Sequence, residues 1–382
     1  MSKPCYIVGH HIISSLGDGA ENFYAAKNNI TGIHKVTDKS LSQEPFYGAL
    51  FGDALRSKLI AKSAAYTLLE NGIVHCIESA LNQYPKHKEK RGVLVFTSTK
   101  GNIDLLNNDN TGNIPVNRAN LAIMAEAINA HFGFSNPPVV ISNACISGVS
   151  ALLTAQKLLA SQAFDFAVVA GGDLVSKFVV SGFQSLMAIS ETPCKPYDKS
   201  RSGMTPGEGC AAAILTRELP KGNKTAIRII GGGQTNDANH ISGPSRTGEG
   251  LVKAVSKALA KAGCAARDID FINAHGTATV FNDEMEAIAF NRLGLSTTPL
   301  NSLKGYYGHT FAAAGLIETI ISAEFLKQGI ALKTLGLEEP GISKPLNLTM
   351  ENKEVDSPKR VLKTISGFGG TNAAIILETV ES

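Results

Sequence analysis

The sequence predicts an α/β protein built around buried central sheets and made of two related halves. Three observations carry that prediction. Short apolar runs, Gly92 to Thr97, Pro138 to Ser142, Phe166 to Ala170, Ile227 to Ile230, Asp270 to Asn273 and Arg360 to Ser366, have the length of strands. Between them, stretches such as Val149 to Ser161 and Gly315 to Gln328 repeat apolar residues at helical spacing. Finally, Gly207-Glu-Gly-Cys-Ala-Ala-Ala-Ile-Leu215 echoes Gly369-Gly-Thr-Asn-Ala-Ala-Ile-Ile-Leu377, and Ser147-Gly148-Val149 echoes Ala314-Gly315-Leu316, at offsets of 162 and 167 residues. Either match alone is within chance; two collinear ones at similar offset indicate a duplication.

The halves are expected at residues 1–219 and 226–382, packed as one unit, with Pro220 to Lys224 as an exposed connection. The Gly- and Pro-rich stretches Ser190 to Gly209 and Gly231 to Gly250 are expected as long loops. Composition supports a large core: 43% of the 382 residues are hydrophobic and 18% charged. A net charge of +3 is too mild to argue for nucleic acid. Six scattered cysteines without a zinc-like spacing fit a reducing compartment. No uninterrupted apolar run approaches the ~18 residues of a membrane span, and the N-terminus lacks a signal-like apolar stretch. A cytoplasmic protein without membrane insertion is expected.

Four segments could carry chemistry. In Val139-Val-Ile-Ser-Asn-Ala-Cys-Ile-Ser-Gly-Val-Ser150 a strand turns through small residues into a helix, placing Cys145 at a helix N-terminus, where backbone N–H groups favour the thiolate. The alternative is a small buried hydrophobe. In Asp270 to Glu286, His275 ends a strand ahead of a Gly/Thr turn, a place for an acid, a base or a hydrogen-bond donor, or for a structural histidine. Thr277 and Thr279 on that loop could hold a polar ligand arm. In Pro299 to Leu316, His309 precedes a helix whose N-terminus disfavours the imidazolium. Lys304 nearby suggests a partner such as Glu286, or plain surface solvation. Thr364-Ile-Ser-Gly-Phe-Gly-Gly-Thr-Asn372 gathers three glycines about Phe368, either to let backbone amides approach a substrate or to form a tight hairpin.

Taken in order, with the strand and glycine turn at Ile7 to Gly17, Pro196-Tyr-Asp-Lys-Ser-Arg-Ser-Gly203 and Gly207-Glu-Gly209, these segments resemble the elongating, Cys-His-His branch of the β-ketoacyl synthase family, in the thiolase superfamily. The resemblance implies a thiolase-like duplicated fold, five-layered αβαβα with two mixed central sheets. It implies Cys145 as the acyl-accepting nucleophile, with His275 and His309 as donors for decarboxylating malonyl carrier protein and Lys304 with Glu286 as a supporting ion pair. The amides of Cys145 and Phe368 would form the oxyanion hole, the Phe368 ring a gate, and Thr277 and Thr279 the contact to the phosphopantetheine arm. Basic residues in register with the family's docking surface for the acidic acyl carrier protein are Lys58, Lys62 and Arg201. Neither a metal nor any cofactor beyond the carrier's pantetheine is implied, and the partner would be a second copy or a homologous subunit.

Several positions depart from the family pattern. Val280 stands where a proline is usual, Gly-Tyr-Tyr-Gly-His follows Lys304 in place of Ser-x-x-Gly-His, and Lys100 to Arg118 is divergent. These departures point toward a specialised pathway such as polyene or pigment synthesis. The competing readings are a cysteine acyltransferase that has abandoned decarboxylation and a non-catalytic partner subunit, which usually lacks the cysteine.

Overall fold

A computed structural model describes residues 4–107, 114–220, 225–237 and 243–381. Ten strands form its frame: β1 (Tyr6–Ser14), β2 (Gly92–Thr97), β3 (Val139–Ile141), β4 (Phe166–Asp173), β5 (Gly209–Thr216), β6 (Thr225–Asn236), β7 (Phe271–Asn273), β8 (Leu300–Asn301), β9 (Arg360–Gly367) and β10 (Thr371–Glu381). Seven helices pack on them: α1 (Leu68–Leu81), α2 (Leu121–His131), α3 (Ser147–Ala160), α4 (Lys177–Ser185), α5 (Glu249–Ala262), α6 (Val280–Arg292) and α7 (Ala314–Gln328).

The strand orders of the two halves repeat each other. From the centre outward, β1-β5-β4-β2-β3 reads antiparallel, antiparallel, parallel, parallel, and β6-β10-β9-β7-β8 reads the same. The two mixed sheets are joined edge to edge where Tyr6 and Ile7 of β1 pair antiparallel with Arg228 and Ile227 of β6, so the hydrogen bonding is continuous across both. Helices α3 and α7 lie against each other and against strands of both halves, α1 covers the outer face of one half-sheet and α5 that of the other, giving five layers. Strands β4 and β5 are buried along their whole length, as strands covered on both faces must be.

One expected loop proves to be a strand in part. Gly231 to Asn236 continue β6, because helix α5 packs directly on its backbone: a Cβ at Gly231 would lie 2.3 Å from the Ala258 carbonyl oxygen, and one at Gly233 would lie 2.1 Å from that of Ala254. The glycines there permit close approach, not turning. Of the expected connection between the halves, residues 221–224 lie outside the described residues, as do residues 108–113 of the divergent Lys100 to Arg118 stretch. Among the described residues, no helix is long and apolar enough to cross a membrane.

Candidate active site

The site lies where the N-terminal ends of α3 and α7 meet between the two halves. Beyond β3 the chain turns through Ala144, whose φ of 45° is a left-handed conformation rare for a residue with a side chain. Ser147 locks the turn, accepting from the Asn143 amide at 2.7 Å and donating to the Ala144 carbonyl at 2.6 Å. Cys145 is thereby pushed into the space between the halves.

Its Sγ faces Nε2 of His309 at 3.1 Å. The other ring nitrogen, Nδ1, accepts a hydrogen bond from the Phe311 amide at 3.1 Å, so in the neutral ring the proton resides on Nε2 and points at the sulfur. His309 thus serves as a donor to sulfur, not as its base. The ring of His275 stands edge-on to that of His309, with centroids 5.3 Å apart, and its buried Nδ1 has no hydrogen-bond partner among the described residues.

Both imidazoles are held well below the ordinary histidine pKa, first by burial and then by the charge of Lys304. The expected direction holds for His309, but the cause differs: a short 3-10 turn, Phe311–Ala313, separates it from α7. For Cys145 the expectation is overturned. Burial pushes the thiol up, outweighing the nearby charges of Lys100 and Lys304 and the Phe368 amide that donates to the sulfur. At rest the pair is a thiol and a neutral imidazole.

A second correction concerns the supporting ion pair. Lys304 does not meet Glu286; its Nζ contacts Glu318 of α7 and donates to the His275 carbonyl at 3.1 Å. The oxygens of Glu286 are already taken by the amides of His275 (2.8 Å) and Gly276 (2.7 Å) and by the Tyr197 hydroxyl (2.9 Å), so this carboxylate fixes the turn after β7 from its other side. Glu318 also contacts Lys363 of β9. Neither Glu318 nor Lys363 was expected from the sequence. The signal was there, since each is a charged residue within an otherwise apolar stretch of helix or strand.

Cys145, His275 and His309 open into a cavity of about 480 Å³, lined also by Phe183, Met204, Phe368 and the two threonines. The Phe368 ring, 38% exposed, lies 5.6 Å from that of Phe183. Thr277 and Thr279 hydrogen-bond to each other at 2.9 Å. The expected docking residues are not at this mouth. Lys58 is paired with Asp18 at 2.7 Å and Lys62 with Glu78 at 3.0 Å, and neither lines the cavity. The Arg201 side chain is only 5% exposed and donates to the carbonyls of Asp198 and Gly341, so it cannot serve as an accessible docking cation. Leu186, Met187 and Phe281, all well exposed, make the rim apolar instead.

Two groups among the described residues cluster donor atoms within 4.8 Å, close enough to surround an ion: Cys145, His275 and His309, and, remote from the cavity, His11, Asp18 and His75. In the second, Asp18 already accepts from both imidazoles and from Lys58.

Residues 21–220 match the β-ketoacyl synthase N-terminal domain, and residues 227–338 match its C-terminal domain. The chain belongs to the β-ketoacyl synthase family. The 3-oxoacyl-[acyl-carrier-protein] synthase 2 of Rhizobium meliloti (strain 1021) is 34% identical over 69% of this chain, and that of Coxiella burnetii (strain RSA 493 / Nine Mile phase I) is 31% identical over 66%. The chain spans 65% and 64% of these relatives' lengths. Among solved structures, a β-ketoacyl synthase from Burkholderia phymatum STM815 superposes with a TM-score of 0.89 at 24% identity, covering 99% of this chain and all of that one. A chain of the complex of the ketosynthase ApeO with its chain length factor ApeC from Xenorhabdus doucetiae superposes at 0.85 with 24% identity, covering 99% and 98%. These likenesses establish the thiolase-type fold that the synthase family shares.

Proposed function

We propose that the chain is a β-ketoacyl-[acyl carrier protein] synthase that joins an acyl group held on Cys145 to a malonyl unit with loss of carbon dioxide. The observation that carries this reading is the fixed Nε2–H of His309 aimed at the Cys145 sulfur, with a second neutral imidazole beside it at the floor of an apolar cavity.

The chemistry follows from those positions. The Cys145 sulfur attacks an acyl thioester, and its proton leaves with the departing pantetheine thiol. A malonyl thioester then enters with its carbonyl oxygen against His309 and His275. Its carbon–carboxylate bond breaks, carbon dioxide departs, and the electron pair moves into the thioester as an enolate whose oxygen accepts from both N–H groups. Neutral imidazoles suit this role because they donate without surrendering the proton. The enolate carbon attacks the acyl-cysteine; the oxyanion meets the amides of Cys145 and Phe368, and collapse frees the Cys145 thiolate, which regains a proton from solvent. Loss of carbon dioxide drives carbanion formation, so the route calls on no cofactor.

Thr277 and Thr279 would meet the pantetheine arm, and the cavity's Phe183 and Phe368 the acyl chain. The apolar rim suits cover by a protein partner, either a second copy of this chain or a homologous subunit such as the chain length factor of the ApeO complex. A purely structural partner-subunit role would leave Cys145 and its oriented donor without purpose. Mixing the protein with an acyl and a malonyl carrier protein should yield carbon dioxide and a 3-oxoacyl product two carbons longer. Transfer of the acyl group without either product would instead favour a cysteine acyltransferase.

A further inference from the structure

We infer that Lys363 is a positioning residue for this reaction: with Lys304 it shares the single carboxylate of Glu318, and the two ammonium groups together hold the carbonyls of consecutive residues, Ala274 and His275, placing two positive charges beneath both imidazoles. The inference rests on the condensing reading above.

The geometry is that of a clamp. Glu318 contacts Lys304 through one oxygen and Lys363 through the other. Lys304 also donates to the His275 carbonyl at 3.1 Å, and Lys363 donates to the Ala274 carbonyl at 3.2 Å. All three side chains are at most 3% exposed. Glu286 is buried nearby and also faces Lys363, but its oxygens are held by the amides of His275 and Gly276, so both lysines converge on the one carboxylate they touch, an expensive arrangement for stability alone. What the second lysine adds is a second ammonium charge and a second fixed point on the strand end that carries His275.

Both additions serve the chemistry proposed. The charged groups facing His275 are Lys304, Lys363 and Glu286, with His309 beside it; those facing His309 are Lys304, Lys363 and Lys100, with the Cys145 thiol beside it. The lysines act with burial to disfavour the imidazolium, and Lys363 is among the causes for each ring. Its own ammonium faces Glu318, Lys304 and Glu286; burial, aided by Lys304 and opposed by the two carboxylates, lowers it to about 8. An enolate forming at the imidazoles therefore develops above a positive charge that requires no reorganisation.

The test is the pH profile of carbon dioxide release from malonyl-pantetheine without acyl donor, measured on the wild-type protein, Lys363→Met and Lys363→Met/Glu318→Gln. The wild type should lose activity on the acid side as the imidazoles protonate and on the alkaline side near pH 8 as Lys363 loses its proton. The Cys145 thiol, raised above 9.0, titrates beyond that limb. Lys363→Met removes one positive charge from beneath the imidazoles, so its acid limb should move up by about one pH unit and its limb near 8 should vanish. The double variant removes one charge of each sign and so keeps the wild-type balance, and its acid limb should return toward the wild-type position. A residue that only filled space would instead make the double variant worse than the single. Superimposable profiles for wild type and Lys363→Met would overturn the inference, as would a double variant further displaced than the single. If Lys363→Met does not fold, a wild-type profile without an alkaline limb near 8 overturns it equally. No carbon dioxide from the wild type would remove the condensing reading and this inference together, whereas release with an unmoved Lys363→Met profile would remove this inference alone.

Discussion

Gly148 and Gly315 meet backbone to backbone where α3 and α7 begin. A Cβ on Gly148 would lie 2.5 Å from the Leu316 amide nitrogen, and one on Gly315 would lie 2.9 Å from that of Val149. The two helices occupy corresponding places in the two halves, and their contact brings the turn before one, with Cys145, onto the turn before the other, with His309. A duplicated helix start thus becomes a site with one thiol and one imidazole donor.

Gly148→Ala should therefore separate those turns. Because the opposing atoms are backbone, neither side can yield by changing a rotamer, and a loss of about 1–3 kcal/mol in unfolding free energy is expected. Denaturant unfolding together with acyl-enzyme formation by intact mass checks this. An alanine tolerated without change in either would mean that the close approach does not hold Cys145 against His309.

The two buried glutamates should differ in what their loss costs. Glu318→Ala takes from Lys304 and Lys363 the one carboxylate both contact and should destabilise by about 3–5 kcal/mol. Glu286→Gln keeps the shape and one acceptor for the amides of His275 and Gly276, and about 1–3 kcal/mol is expected. Urea midpoints measured side by side give the order; the reverse order would contradict the pairing described.

Asp283 provides a pH test of the packing around Glu286. Burial, reinforced by Glu286, raises its carboxyl to about 7, although the Tyr197 amide donates to it at 2.7 Å. A carboxyl raised in the folded state contributes stability below its unfolded value near 4, and that contribution is lost as pH rises toward 7, at about 1.4 kcal/mol per unit. The stability of the wild type relative to Asp283→Asn should therefore fall between pH 5 and pH 7 and then level off. A difference independent of pH would show that Asp283 is not held protonated.

Alkylation should distinguish the cysteines by access and by donors. Cys5, Cys76, Cys194 and Cys210 are buried, leaving Cys145 in the cavity and Cys264, half-buried, away from it. Iodoacetamide should modify Cys145 increasingly as pH rises, since burial raises its thiol. His309→Ala, which removes a donor to the sulfur, should slow that reaction by about tenfold while leaving Cys264 unchanged. Peptide mapping that found Cys264 slowed and Cys145 untouched would contradict the geometry.

Much of the fold was legible because duplication and alternation are written locally. The echo of Gly207 to Leu215 in Gly369 to Leu377 falls on β5 and β10, and that of Ser147-Gly148 in Ala314-Gly315 on α3 and α7. Glycine misled where it stood for close packing, as in β6. Around the site, Cys145, His275 and His309 stood out as reactive residues after strands, but the partner of Lys304 did not. Glu286 and Glu318 are both carboxylates following a histidine motif, and only the folded chain shows that backbone amides occupy the first. Arg201 read as an exposed cation because its burial depends on Asp198, Gly341 and Asp283, two of them more than 80 residues away. The Cys145 thiol was misjudged for a related reason: a helix N-terminus is visible in sequence, whereas the burial that outweighs it is not.

The central claim is a division of labour between Cys145 and His309, and one paired measurement tests it most directly. Cys145→Gln and His309→Ala would each be assayed for acyl-enzyme by intact mass and for radiolabelled carbon dioxide from malonyl carrier protein, on the same folded preparations. Cys145→Gln should form no acyl-enzyme yet still decarboxylate, because both imidazole donors remain. His309→Ala should still take up the acyl group, while its decarboxylation falls by about a hundredfold, as when one positioned donor to an oxyanion is lost. Normal decarboxylation by His309→Ala, or none by a folded Cys145→Gln, would contradict the account.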